Sequence, residues 1–216
     1  MERNYAVSAL GEMLIDFVPH GKDDNGDKIF AAKTGGAPAN LLAAVSSAGF
    51  KTGMIGMVGN DMFGRQIIDE ISKYGVDTSN VIVSDSYNTT LAFVSLDETG
   101  DRDFSFFREN NADTHLGKDD FDPEMIKNSR IFHFGSLSFT HEKVREATEF
   151  AIRTAKESGC IISYDPNYRE PLWKSEEEAI EVMKKNIRRT DILKISLEEA
   201  QMCTGANDPF SCIERF

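Results

Sequence analysis

The sequence predicts an α/β fold: a mostly parallel sheet flanked by helices, with a small β excursion standing off it. Two observations carry this expectation. Short apolar runs alternate with helical patterns along most of the 216 residues, the signature of repeated β-α-β units. Two separate segments, "DKIFAAK" and "TTLAFVSLDETGDRDFSFFR", break that rhythm. The second alternates apolar and polar residues on both sides of a Gly-containing turn and reads as an antiparallel hairpin.

Taken in order, "YAVSAL" reads as the first strand. Leu41, Leu42, Val45 and Ala48 then recur at helical spacing until Gly49 supplies the stop. "GMIGMV" is a second buried strand. From Phe63 to Tyr74 a helix carries Ile67, Ile68 and Ile71 on one face and ends before Gly75. "RIFHFG" is the next strand, followed by a long helix with Val144, Ala147, Phe150 and Ala151. "CIISYD" and "DILKI" are two more strands. Between them a helix opens on "SEEE", where Ser175 and Glu178 have capping-box spacing. The excursion reads either as a lid over a site or as an edge extension of the sheet or a dimer contact.

The length suits one full domain with a large core. A net charge of −12 argues against nonspecific binding to nucleic acid or to an anionic membrane surface. No run approaches the length of a membrane span. The opening "MERNYAVSALGEMLIDF" is interrupted by Glu12 and Asp16 and lacks a signal peptide's basic start and long apolar stretch. Cys160, Cys203 and Cys212 are scattered, and the four histidines do not cluster. Reduced thiols and a cytoplasmic location are therefore expected, with neither a zinc site nor a Cys/His nucleophile pair.

In open α/β sheets, ligands bind beyond the carboxyl ends of the strands. The unusual polar and glycine positions gather there: Glu12 and Asp16 after the first strand, Asn60 and Asp61 after "GMIGMVG", Gly135 and Ser136 after "RIFHF". Asp165, Asn167 and Arg169 follow "IISY", and Lys194 and Ser196 end "DILKI". Gly35 and Gly36 would let a ligand or another backbone come close, and Asn40 offers a donor and an acceptor to a neutral hydroxyl. The same residues would also serve as a plain turn with a local hydrogen bonder. Asp16, flanked by Leu14, Ile15, Phe17 and Val18, needs a partner such as a sugar hydroxyl, or a solvent-facing position.

The stretch "GGAPANLLAAVSSAGFKTGMIGMVGNDMFG" resembles the N-terminal signature of the ribokinase-like (PfkB) carbohydrate kinases, and most closely their fructokinase branch. Gly35, Gly36, Pro38, Asn40, Gly49 and Gly59 match; Leu42 stands where that signature usually has a small residue. The resemblance continues through "GEMLIDF", "FSFFR", "YDPNYREPLW" and "DILKISLEEAQMCTG", in order along nearly the whole chain.

The resemblance implies a ribokinase-like fold and transfer of the γ-phosphoryl of ATP, with Mg2+, to D-fructose. It implies that Asp16 and Asn40 hold sugar hydroxyls, that Gly35 and Gly36 line the same pocket, and that Arg108 reaches the sugar from a lid. The lid segments would be about 18–34 and 88–108, and a homodimer would form through them. Arg169 would face the transferring phosphoryl group, a task its planar donors suit. Asn167, Lys194 and Ser196 would lie on the nucleotide side, and Glu199 would act on the metal through water. Ser196 replaces the asparagine common in relatives, and Ser-x-x-Glu at a helix start is also a capping box. Lys194 would equally snorkel to solvent, and either arginine would equally serve a salt bridge.

The family's later Asp-Thr-x-Gly-Ala-Gly-Asp motif, which supplies the anion hole and the catalytic base, is not found. "CTGANDPF" imitates it, but Asn207 replaces a glycine and no aspartate precedes Thr204. Asp208 and Pro209 read instead as the N-cap and first residue of a helix. The chain is therefore expected to carry the sugar-binding part of the domain, with the C-terminal nucleotide-binding part absent from it. Two rivals stay open. One is a kinase for another sugar or a sugar acid such as 2-keto-3-deoxygluconate, whose carboxylate Arg108 would meet; the other is a non-catalytic sugar-binding protein. A dinucleotide-binding domain is disfavoured, since no glycine fingerprint follows the first strand.

Overall fold

The computed structural model describes residues 3–96 and 102–216. In chain order the elements are β1 (Tyr5–Leu10), β2 (Leu14–Lys22), β3 (Lys28–Gly35), α1 (Ala37–Ser47), β4 (Thr52–Gly59), α2 (Met62–Lys73), β5 (Val76–Ser84), β6 (Thr90–Leu96) and β7 (Arg102–Phe107). Then come α3 (Glu124–Lys127), β8 (Ser129–Gly135), α4 (Glu142–Glu157), β9 (Ile161–Asp165), α5 (Glu176–Ile187), β10 (Ile192–Leu193), α6 (Leu197–Thr204) and α7 (Pro209–Arg215).

Six strands form the main sheet in the order β10-β9-β8-β1-β4-β5, and every neighbouring pair is parallel. Parallel strands covered on both faces must be apolar on both faces, which is why β4 is buried along its whole length. Val7 and Ala9 of β1 pack on one side with Leu42 of α1 and with Ile67 and Ile71 of α2. Leu10 turns to the other side, where Phe132 and Phe134 of β8 meet Val144, Ala147 and Ala151 of α4 and Met183 of α5. Each large side chain removed from water there contributes about 1.5–3 kcal/mol.

A second sheet, in the order β3-β2-β6-β7, is built from two separate parts of the chain. β2 and β3 are antiparallel, β2 and β6 parallel, and β6 and β7 antiparallel, with Leu91 opposite Phe107. The Gly-containing turn expected between β6 and β7 lies outside the described residues. β2 leaves the end of β1 after only three residues, so the small sheet is rooted at the carboxyl rim of the main one.

The predicted strands and helices of the main layer are all present, with one shortened. "DILKI" forms only the two-residue β10, because Ser196 already opens α6. β2 and β5 are strands that the apolar pattern did not mark. Among the described residues, no helix is long and apolar enough to cross a membrane.

Candidate active site

The chain lays out β1, then β4 and β5 to one side, and returns to place β8, β9 and β10 on the other. The direction of winding therefore reverses between β1 and β8, where an open parallel sheet forms a crevice at its carboxyl end. A cavity of about 220 Å³ lies at that end, lined by Glu12, Leu14, Asp16, Gly36, Ala37, Asn40, Phe104, Phe106, Leu137, Asn167 and Arg169. Asp16, Gly36, Asn40, Asn167 and Arg169, all singled out in the sequence, are thus brought together.

Each arrives for a local reason. Gly36 caps α1 at φ 111°, a backbone conformation that favours glycine, and Pro38 stabilises the first turn. A methyl at Gly36 would collide with the Glu12 carbonyl. Asn40, one turn into α1, is exposed, and its carboxamide makes no hydrogen bond among the described residues. Asp16 sits on β2 with its Cα opposite Lys33 and Ala92. Gly35 is not in the cavity wall; it lies behind Asp16, and a methyl there would strike the carboxylate. Asn167 takes a left-handed φ of 46° in the turn after β9. Arg169 donates from Nη1 to the Tyr168 carbonyl at 2.8 Å and lies over the Phe104 ring at 5.5 Å.

Arg108 is not brought to this cavity. It is buried, and its Nε donates to Asp113 Oδ2 at 2.6 Å. Nη1 donates to Thr140 Oγ1 at 2.8 Å and Nη2 to the Leu137 carbonyl at 3.1 Å. Asp113 also takes the Thr90 hydroxyl. The guanidinium thus braces the wall from behind, through Leu137.

Lys194 and Ser196 also stand apart from the cavity. Lys194 is mostly exposed and pairs with Asp165 at 2.9 Å. Ser196 and Glu199 form the reciprocal capping box of α6. Glu199 Oε1 accepts from Tyr168 N–H at 2.7 Å, and Oε2 accepts from Ser196 N–H at 2.8 Å. Both oxygens therefore already hold backbone donors, and one of them fixes the turn that carries Arg169. Among the described residues no three metal-ligating side chains come together. Asp208 caps α7 through Ser211 N–H and the Ser211 hydroxyl, with Pro209 the first helical residue.

Three participants were not assigned from the sequence. Glu12 stood on the predicted rim without a role. It is buried, and its Oε1 accepts from Ala37 N–H at 3.0 Å, satisfying one of the open donors of α1. Burial pushes its carboxyl above the usual range, against the pull of the Ala37 N–H and the Arg108 charge. Phe104 and Phe106 share one face of β7, and their two-residue spacing ahead of Arg108 was the available signal.

The family model described as pfkB family carbohydrate kinase matches residues 5–216. The chain is 41% identical over 201 residues to fructokinase-1 of Zea mays, covering 92% of this chain and 62% of that protein. It is 40% identical over 205 residues to fructokinase-1 of Oryza sativa subsp. japonica, covering 94% and 64%. The fold is similar to a crystal structure of fructokinase from Xylella fastidiosa, with TM-score 0.89, 33% identity, and coverage of 98% of this chain and 66% of that one. A structure described as the Xylella fastidiosa fructokinase with bound ATP matches with TM-score 0.87 at the same identity. The chain thus spans less than two thirds of the length of these relatives.

Proposed function

Because the chain belongs to the pfkB family of carbohydrate kinases, we propose that it forms the sugar-gripping part of an ATP-dependent fructokinase, converting D-fructose and ATP to D-fructose 6-phosphate and ADP. One observation carries the reading: an acceptor, a donor-acceptor and bare backbone meet in one crevice beside a cation that no carboxylate pairs among the described residues. Asp16 and Asn40 orient the sugar hydroxyls, and Gly36 lets the ring approach the amino end of α1. Arg169, which makes no ion pair among the described residues, keeps its charge for the phosphoryl group. The fructokinase relatives support fructose as the acceptor, and the ATP-bound relative supports ATP as the donor.

On this reading Arg108 acts on the sugar indirectly, by bracing Leu137. Asn167 belongs to the phosphoryl side, while Lys194 and Ser196 attend the nucleotide from the neighbouring strand end. When Mg2+ accompanies ATP, Glu199 would meet it through water. A homodimer through the small sheet is supported by Phe107 and Ile29, large apolar residues left exposed on it. Three buried free thiols suit the reducing cytoplasm. Arg169, which makes no ion pair among the described residues, would also suit a sugar-acid carboxylate, which keeps a 2-keto-3-deoxygluconate kinase as the second reading.

Calorimetric binding of D-fructose, D-ribose and 2-keto-3-deoxygluconate to this chain tests the proposal. Fructose should bind preferentially, and Asp16→Ala should weaken it about 10- to 150-fold, the worth of a hydrogen bond to a charged group. Fructose affinity unmoved by that substitution would remove Asp16 from the site. Preference for the sugar acid would select the second reading.

A further inference from the structure

Arg169 is a cation at a ligand cavity in a chain holding 36 acidic residues, yet no carboxylate pairs with it among the described residues. Its guanidinium gives one Nη1–H to the neighbouring Tyr168 carbonyl at 2.8 Å, and its face lies over the ring of Phe104, with Cζ 5.5 Å from the centroid. Phe104 stacks in turn on Phe106, at 5.8 Å between centroids and 16° between planes. The two rings belong to β7 in the small sheet, whereas Arg169 follows β9 of the main sheet. The contact therefore bridges the two sheets at the mouth of the cavity that all three residues line.

The kind of partner matters. A carboxylate would hold the guanidinium by consuming its N–H donors and neutralising its charge. An aromatic face attracts the cation through the ring quadrupole and leaves the charge, and the donors not given to Tyr168, to an incoming anion.

We propose that Phe104 is a positioning residue for the phosphoryl end of the site: its ring holds Arg169 in place to receive the phosphate of the sugar product, and so couples the small sheet to that arginine. The proposal rests on the reading of the cavity as a sugar-kinase site. It assigns to a side chain of the small sheet an effect on the phosphate, distinct from whatever that sheet does for the sugar.

The test compares binding of D-fructose and D-fructose 6-phosphate to the chain by calorimetry in wild type, Phe104→Leu, Phe104→Tyr and Arg169→Ala. Phe104→Leu keeps apolar bulk and removes the ring. It should lower affinity for the phosphate about 2- to 30-fold more than affinity for fructose, the range a cation–π contact spans. Phe104→Tyr should restore the wild-type ratio, and adding Phe104→Leu to Arg169→Ala should change that ratio no further. The Arg169 Nε–H resonance should lose a ring-current shift in the Leu variant and keep it in the Tyr variant. Equal losses for both sugars in Phe104→Leu would make Phe104 a mere sugar contact and overturn the proposal. A lost ring-current shift with an unchanged ratio would overturn it too. The underlying reading is judged separately: if Arg169→Ala leaves fructose 6-phosphate affinity intact, the phosphoryl assignment of Arg169 fails whatever Phe104 does.

Discussion

Replacing Arg108 with alanine should unfold the chain more readily rather than simply empty its sugar site. The side chains of Arg108 and Asp113 are 1% and 2% exposed, and their ion pair is 2.6 Å long. The guanidinium spends its other bonds on Thr140 and on the Leu137 carbonyl, so it ties the Asp113 turn to the Leu137–Thr140 turn. Alanine would strand the Asp113 charge in the interior with the Thr90 hydroxyl as its remaining hydrogen-bond partner. Breaking a buried pair in this way costs about 3–5 kcal/mol. For a chain of this size that corresponds to a melting temperature lowered by roughly 6–20 °C. Urea denaturation and scanning calorimetry of Arg108→Ala, Asp113→Ala and the double variant measure it. Arg108→Met with Asp113→Leu should recover most of the loss, because apolar residues of similar volume need no charge partner. A loss below about 1 kcal/mol in Arg108→Ala, together with a fall in fructose affinity of more than about tenfold, would refute the reasoning and return Arg108 to the sugar.

Three further outcomes are expected. Burial, and secondarily the Lys194 charge, lowers the His133 pKa from 6.5 to about 4, so the folded chain keeps it neutral. The unfolded chain takes up a proton first as pH falls, so stability present above pH 6.5 should drain away toward pH 4, by about 3 kcal/mol. Denaturation from pH 7 to 4 should show a flatter acid slope in His133→Gln. The Glu12 carboxyl is shifted the opposite way by burial, so its ionisation costs stability as pH rises. Melting curves should therefore show Glu12→Gln gaining on wild type between pH 5 and 8, and a constant difference would refute the assignment. Gly35→Ala should force the Asp16 carboxylate aside, costing about 1–3 kcal/mol of stability and lowering fructose affinity by calorimetry; an unaltered affinity would show that Asp16 has room to give.

The sequence made the main layer legible because burial on both faces writes a continuous apolar run. "YAVSAL", "GMIGMV", "RIFHFG" and "CIISYD" each became a strand of the parallel sheet. β5 escaped because an edge strand tolerates the polar series Asp77, Thr78, Ser79 and Asn80. β2 escaped because Pro19, His20 and Gly21 dilute its far half. At the cavity, Gly36 and Asn40 were legible from their place at a helix mouth, and Asn167 from its place after a buried strand, where ligands meet an open α/β sheet. Arg108 was harder. A lone arginine carries no mark of its partner, and nothing in the sequence singled out Asp113, five residues on, among the chain's carboxylates. Glu12 was legible as odd, a carboxylate just after a buried strand, but its engagement with Ala37 depends on a helix that begins 25 residues later.

The second strand has a mechanical meaning. Leu14 and Ile15 are buried while His20, Gly21 and Lys22 stand in solvent, so β2 resembles a cantilever clamped at one end. Deflection of such a beam grows steeply with distance from its fixed end. Asp16 lies beside the clamp, one residue from buried Ile15, where a beam is stiffest.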